Sequence, residues 1–267
     1  MQDYMPPKHY IEHKDLVYGD APLGGSMAPL TMDLSLPRNA KGPVPLVLWI
    51  HGGGFHHGDK AWAGHRTDAR WLTKSGYAYA SINYRLNAEQ SDLTPDVAAR
   101  IPALQQHRDP KFRKNLSGAA SFAALEDTVN ALKWLGKRRE NFNLSNWVAV
   151  GGNSAGAITA FNLVHLSGYF GLSRPPIRAL ISISGGFAYP ELFAPAQTPV
   201  HALHNPSDKR VHIPFIRKLA EIGGRHVELV ESDDQLHGRI RLTPDEPVRD
   251  AYARIIGFLN SARTGDP

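Results

Sequence analysis

Ser154 stands in Gly152-Asn153-Ser154-Ala155-Gly156, directly after the apolar run Trp147, Val148, Ala149, Val150 and ahead of Ala157-Ile158-Thr159-Ala160-Phe161-Asn162-Leu163. A buried strand that turns sharply into a helix, with small residues on both sides of one serine, holds that hydroxyl at the tip of the turn, where it can attack a carbonyl. Gly152 and Gly156 let backbones pack closely at a turn that strains the central residue. The plain alternative is a serine capping a helix. The rest of the chain decides between them.

Such a serine needs a base, and the base needs an orienting acid, which in strand–turn–helix nucleophiles follow the serine in the order acid, then histidine. Asp208, in Asn205-Pro206-Ser207-Asp208-Lys209-Arg210-Val211, follows a strand ending at His204; His237, in Leu236-His237-Gly238, follows a strand ending at Glu231. The spacings, 208 − 154 = 54 and 237 − 208 = 29, each leave room for the intervening strand and helix units. Asp233 and Asp234 are the alternatives for the acid, but they lie close to His237 in the chain and do not suit the order. The oxyanion formed in acyl transfer needs N–H donors, and His51-Gly52-Gly53-Gly54-Phe55 places three glycines directly after a buried strand. Gly53 and Gly54, with the N–H of Ala155, are the expected oxyanion donors; losing one such donor costs roughly 3–4 kcal/mol of barrier. A phosphate cradle is the competing reading, but a Walker loop requires Lys then Ser or Thr, and Gly156 is followed by Ala157 and Ile158. Phe55 and Trp62 are expected near the mouth, on the acyl or the alcohol side. His56, His57 and Asp59 do not form a metal-ligand pattern, so no metal is expected.

Elements that could position these residues alternate along the chain. Strands expected near Ile11–Val17 and Leu30–Leu36 flank a turn-rich Gly19–Met27 and suggest an antiparallel edge. Continuous apolar strands are expected at Val44–Ile50, Tyr77–Asn83, around Trp147, and at Ala179–Ser184, Pro199–His204 and His226–Glu231. Helices are expected at Ala61–Ser75, Ser121–Arg139, after Ser154, and at Ile213–Ile222 and Val248–Asn260. This order describes an α/β fold with a mostly parallel sheet covered on both faces, with ligands bound beyond the carboxyl ends of its strands. The polar segment 87–118, carrying Pro95, Pro102 and Pro110, interrupts the rhythm and is expected to lie as an arm across the mouth rather than to fold alone. The whole, 1–267, reads as one domain.

Composition narrows the function. With 42% hydrophobic residues the chain can bury a large core, and no apolar run approaches the roughly 20 residues of a spanning helix. Met1 to Tyr10 lacks a signal core, so the chain reads as soluble and carrying no address, cytoplasmic by default or secreted if a leader was trimmed. Zero cysteines exclude thiol catalysis and disulfides. The 30 basic against 25 acidic residues are scattered, which favours a solvated mixed surface over a nucleic-acid site.

Several stretches together resemble a family. His51-Gly52-Gly53-Gly54-Phe55-His56-His57-Gly58-Asp59-Lys60 resembles the H-G-G-G-W-x-x-G-D-K stretch of α/β-hydrolase esterases related to bifunctional acetylxylan/feruloyl esterases. Asn83-Tyr84-Arg85-Leu86-Asn87-Ala88-Glu89 is similar to D-Y-R-L-A-P-E of hormone-sensitive-lipase-like esterases, with Asn83, Asn87 and Ala88 departing from it. Ala124-Leu125-Glu126-Asp127 resembles the helix that both groups place before the nucleophile strand. The resemblance implies the α/β-hydrolase fold, Ser154 as nucleophile, His237 as base, Asp208 as its orienter, and ester hydrolysis without a cofactor. Short acyl or aryl-type esters, including acetylated or feruloylated carbohydrate, are the implied substrates. An amidase or formamidase, an acyltransferase, and a binding protein without turnover remain alternatives.

Overall fold

The computed structural model describes residues 9–195 and 198–265; the expectation about a leader falls, for residues 1–8, outside them. Its centre is Val44–Ile50 (β3), whose seven residues are all buried. A strand buried on both faces must send alternate side chains to two cores. Leu46, Leu48 and Ile50 enter one, and Val47 and Trp49 the other. Eight strands form one sheet in the order β1-β2-β4-β3-β5-β6-β7-β8. Tyr10–Leu23 (β1), Ser26–Pro37 (β2) and Ala78–Ile82 (β4) pair antiparallel in succession, and β4, β3, Leu144–Asn153 (β5), Ala179–Ile183 (β6), Val200–His204 (β7) and Val227–Glu231 (β8) run parallel. All five residues of β7 are buried, but only Val227 is buried on the edge strand β8.

Helices Ala63–Lys74 (α1) and Val248–Thr264 (α6) cover the face of Val47 and Trp49, through Ala69, Leu72, Ile255 and Leu259. Ala119–Lys137 (α3), Ala155–Leu166 (α4) and Pro214–Gly223 (α5) cover the other. The sheet is therefore mostly parallel with helices on both faces.

Two stretches differ from their sequence reading. Gly19–Met27 is mostly strand, because the reversal needs only Gly24 and Gly25 (φ +58° and +80°), a two-residue hairpin loop that requires positive φ twice. The segment 87–118 holds a helix that the sequence reading did not expect: it contains Pro95–Gln105 (α2), with proline in the first turn, and its Val97, Ile101 and Leu104 recur at helical spacing and join the main core. Pro102 cannot donate to the Ala98 carbonyl, which accepts from Gln90 Nε2 at 3.4 Å. The segment is tied down by Arg85, buried on Asp127 and Glu126 (Nη2 to Glu126 Oε2, 2.8 Å), while Glu126 Oε1 accepts from the Thr94 N–H at 3.1 Å. Its far end reaches the carboxyl edge of the sheet. There the Asp109 N–H donates to the Ala188 carbonyl, and the Phe112 ring packs on Phe215 with centroids 4.8 Å apart.

Candidate active site

Ser154 joins β5 to α4 with φ +55° and ψ −119°, a backbone state costing a non-glycine residue of order 1–3 kcal/mol. The neighbouring glycines are fixed by contact: a Cβ on Gly156 would lie 1.9 Å from the Ile50 carbonyl oxygen, and one on Gly152 would lie 2.6 Å from it. Side chains there would push α4 away from β3 and lower the turn. The Ser154 N–H donates to the Ile183 carbonyl at 2.8 Å, which holds the turn to the end of β6.

His237 and Asp208 meet. The imidazole Nδ1 lies 2.6 Å from Asp208 Oδ2, and Asp208 Oδ1 accepts from the N–H groups of Arg210 (2.8 Å) and Val211 (3.2 Å). A carboxylate only accepts, so Nδ1 carries the proton and Nε2 presents its lone pair. Nε2 is buried and has no hydrogen-bond partner among the described residues. Burial by itself would raise the Asp208 carboxyl, but the hydrogen bonds from His237 and the two amides outweigh it and hold the group below the usual carboxylate value. The loop carrying His237 reaches the nucleophile turn: the Gly238 N–H donates to Ser184 Oγ at 3.0 Å, and a Cβ on Gly238 would lie 3.3 Å from Asn153 Nδ2. Neither Asp233 nor Asp234 bonds the His237 imidazole, and Asp234 Oδ1 accepts from the Leu236 N–H at 3.0 Å.

A second histidine lies beside the acid. His204 Nε2 lies 3.6 Å from Asp208 Oδ2 and donates to the Val211 carbonyl at 2.8 Å. Burial lowers its pKa, which keeps it neutral beside the carboxylate.

The glycine loop lies against Ser154. A Cβ on Gly52 would be 3.4 Å from Ser154 Cβ, and the Gly52 N–H donates to Asn153 Oδ1 at 3.1 Å. The Gly53 carbonyl accepts from the N–H groups of His56 (3.1 Å) and His57 (3.2 Å), with Gly53 at φ +113° and Gly54 at +64°. Only glycine fits at Gly53, since a Cβ would fall 1.7 Å from the His57 carbonyl oxygen. The N–H groups of Gly53 and Gly54 donate to nothing among the described residues, and Ala155 opens α4, where a helix's first N–H groups have no partner within it. Beneath the loop, His51 stacks on Tyr84 (centroids 4.3 Å apart), bonds the Gly52 carbonyl through Nδ1 at 2.7 Å, and is pushed down to about 4 by burial. Tyr84 Oη donates to the His51 carbonyl at 3.0 Å.

Phe55 corrects its expected role. Its side chain is fully buried at φ +70°, edge-on to Tyr84, so it supports the loop from within and presents no wall to a ligand. Trp62 is 41% exposed and leans on His51 and His57, with centroids 5.9 and 6.2 Å away. Asp59 is engaged with the Ala61 N–H and Asn83 Nδ2. Sequence reasoning missed Asn153, Ser184, Tyr84 and His204. Asn153 and Ser184 had one signal, the carboxyl end of a strand: Asn153 closes β5 and Ser184 follows β6.

Residues 32–107 match the family model described as BD-FAE. A probable N-octanoylanthranilate hydrolase of Rhodococcus erythropolis is 29% identical over 134 residues, 49% of this chain and 25% of that protein. A probable carboxylesterase 6 of Arabidopsis thaliana is 30% identical over 115 residues, 43% of this chain and 26% of that protein. The chain thus spans about a quarter of the length of these curated relatives. Among solved structures, a truncated carbohydrate esterase from gut microbiota superposes with a TM-score of 0.66 at 12% identity, covering 97% of this chain and 99% of that one. Likeness of that extent at so low an identity shows a shared fold.

Proposed function

We propose, from the α/β-hydrolase fold of this chain, that the protein hydrolyses carboxylic esters with Ser154 as nucleophile, His237 as base and Asp208 as orienting acid. The observation that carries this reading is the 2.6 Å bond between His237 Nδ1 and Asp208 Oδ2, which leaves Nε2 as an unpartnered acceptor on a loop packed against the Ser154 turn. Ser154 Oγ attacks the ester carbonyl as His237 Nε2 takes its proton. The carbonyl oxygen, now negative, rests on the N–H groups of Gly53, Gly54 and Ala155. His237 returns the proton to the departing alcohol, and water repeats the sequence at the acyl-serine to release the acid. Asp208 stays ionised throughout and stabilises the imidazolium.

Short acyl esters, including acetylated carbohydrate, are the proposed substrates. Support comes from the segment 87–118, which packs beside the Asp208 loop: Arg113 Nη2 donates to the Lys209 carbonyl at 2.8 Å. We place it as a partial cover over the mouth of a single 1–267 domain. A fluorophosphonate probe is expected to label the wild type and not Ser154→Ala, and 4-nitrophenyl acetate to be turned over faster than the octanoate. Labelling of the Ser154→Ala protein would end the serine-hydrolase reading. The relative named for an N-acyl substrate supports amide hydrolysis as a second reading, separated by comparing 4-nitrophenyl acetate with 4-nitroacetanilide.

A further inference from the structure

His56 sits on the loop that bears the proposed oxyanion donors, and its chemistry is fixed by one neighbour. Asn87 Nδ2 donates to the His56 carbonyl at 3.2 Å, and His56 Nδ1 lies 2.7 Å from Asn87 Oδ1. A carbonyl oxygen accepts only from the amide nitrogen, so the first contact sets which way round the Asn87 amide faces. Its oxygen must then accept from His56, which places the imidazole proton on Nδ1. The other nitrogen, Nε2, carries a free lone pair. Asn87 itself is held at φ +57° by its own N–H, which donates to the Phe55 carbonyl at 2.8 Å. The imidazole is exposed, Nε2 has no partner among the described residues, and Cδ2, the ring atom bonded to Nε2, lies 3.7 Å from where a Cβ on Gly54 would sit.

The ring that carries this oriented acceptor therefore flanks Gly54, one of the proposed oxyanion donors. We infer that His56 Nε2 accepts a hydrogen bond from a hydroxyl of the substrate close to the scissile ester, so that esters of polyhydroxy alcohols are selected over their deoxy counterparts. The inference rests on the proposed ester hydrolysis and adds a specificity-determining residue to it, with Asn87 as the positioning residue that sets the imidazole tautomer. The two Asn87 bonds tie the loops together and leave the exposed ring nitrogen free for a ligand.

Three acetates of similar size separate the possibilities: 2-hydroxyethyl acetate, which can donate, 2-methoxyethyl acetate, which can only accept, and propyl acetate, which does neither. The readout is the ratio of kcat/KM values within each protein, so a general loss of activity cancels. The wild type is expected to prefer the hydroxyethyl ester by about threefold to tenfold, the scale of one solvent-accessible hydrogen bond, and to treat the other two alike. His56→Phe should bring the ratio to about one, His56→Gln should keep part of it through its amide oxygen, and Asn87→Gly, which tolerates the positive φ, should reduce it partway. A wild-type preference for the methoxyethyl ester equal to that for the hydroxyethyl ester, or an unchanged ratio in folded His56→Phe, overturns the inference and leaves ester hydrolysis standing. Wild-type protein that turns over none of the three esters and resists fluorophosphonate overturns the reading beneath it.

Discussion

Asp208 accepts from two amides and one imidazole and lies beside a second, and each of these contacts can be removed separately. Asp208→Asn should lower kcat by roughly 10⁴, because the amide no longer fixes the Nδ1–H tautomer of His237. Circular dichroism should show the fold retained. His204→Asn tests the neighbour: it frees the Val211 carbonyl and should lower kcat through a displaced Asp208 while KM changes little. An unchanged kcat in that variant would make His204 a packing residue only. The meeting of His237 with Asp208 was legible from residue type, order and spacing, and the packing of the glycine loop against the Ser154 turn from its place after a buried strand. His204 was not legible as a partner of Asp208, because nothing in a sequence separates a histidine that ends a strand as core from one four residues before an acid that it touches. Phe55 was misplaced because an aromatic residue after glycines reads as a wall, whereas its positive φ turns it inward.

At the scale of elements, the parallel strands and their helices could be read because continuous apolar runs bounded by glycine and polar loops have few other solutions. Within 87–118 the helix α2 was not legible, because proline and charge obscured its three-residue apolar stripe. Its attachment runs through a buried ion cluster whose members, Arg85 on one side and Glu126 and Asp127 on the other, lie in separate sequence motifs. Burial raises the Asp127 carboxyl to about 6 even though Arg85 opposes it. Removing the cation leaves two buried carboxylates uncompensated. Arg85→Met should therefore cost about 3–5 kcal/mol in urea unfolding at pH 7. Deleting Ser91 to Asn115 should do more than open the mouth: it strips Val97, Ile101, Leu104 and Phe112 from the main core, so an insoluble or molten product is expected.

For the whole molecule, buried neutral histidines set the acid limit. His51 is pushed to about 4 by burial, and His165, packed between Phe187 and Phe193, to about 3 by burial and then by Arg174. Between these values and the ordinary histidine value near 6.5, the unfolded chain binds protons that the folded chain refuses, so stability rises with pH across that window and falls as pH drops from about 6.5. Each histidine should withdraw about 2 kcal/mol between pH 7 and pH 5, read as a lower urea midpoint at constant slope. Replacing His165 by Phe should remove its share and flatten the pH dependence.

The acid and the base of the proposed triad hang from strands of unequal standing. Asp208 follows β7, interior to the sheet and buried throughout; His237 follows β8, which has a neighbour on one side only and buries one residue of five. Local opening draws on backbone bonds that face solvent, so the outermost strand frays at a free energy well below that of global unfolding. Amide protons of Val227–Glu231 should then exchange with deuterium faster than those of Val200–His204. Catalysis should also fade at a urea concentration where helical ellipticity is still intact, because the imidazole drifts from the carboxylate before the core gives way.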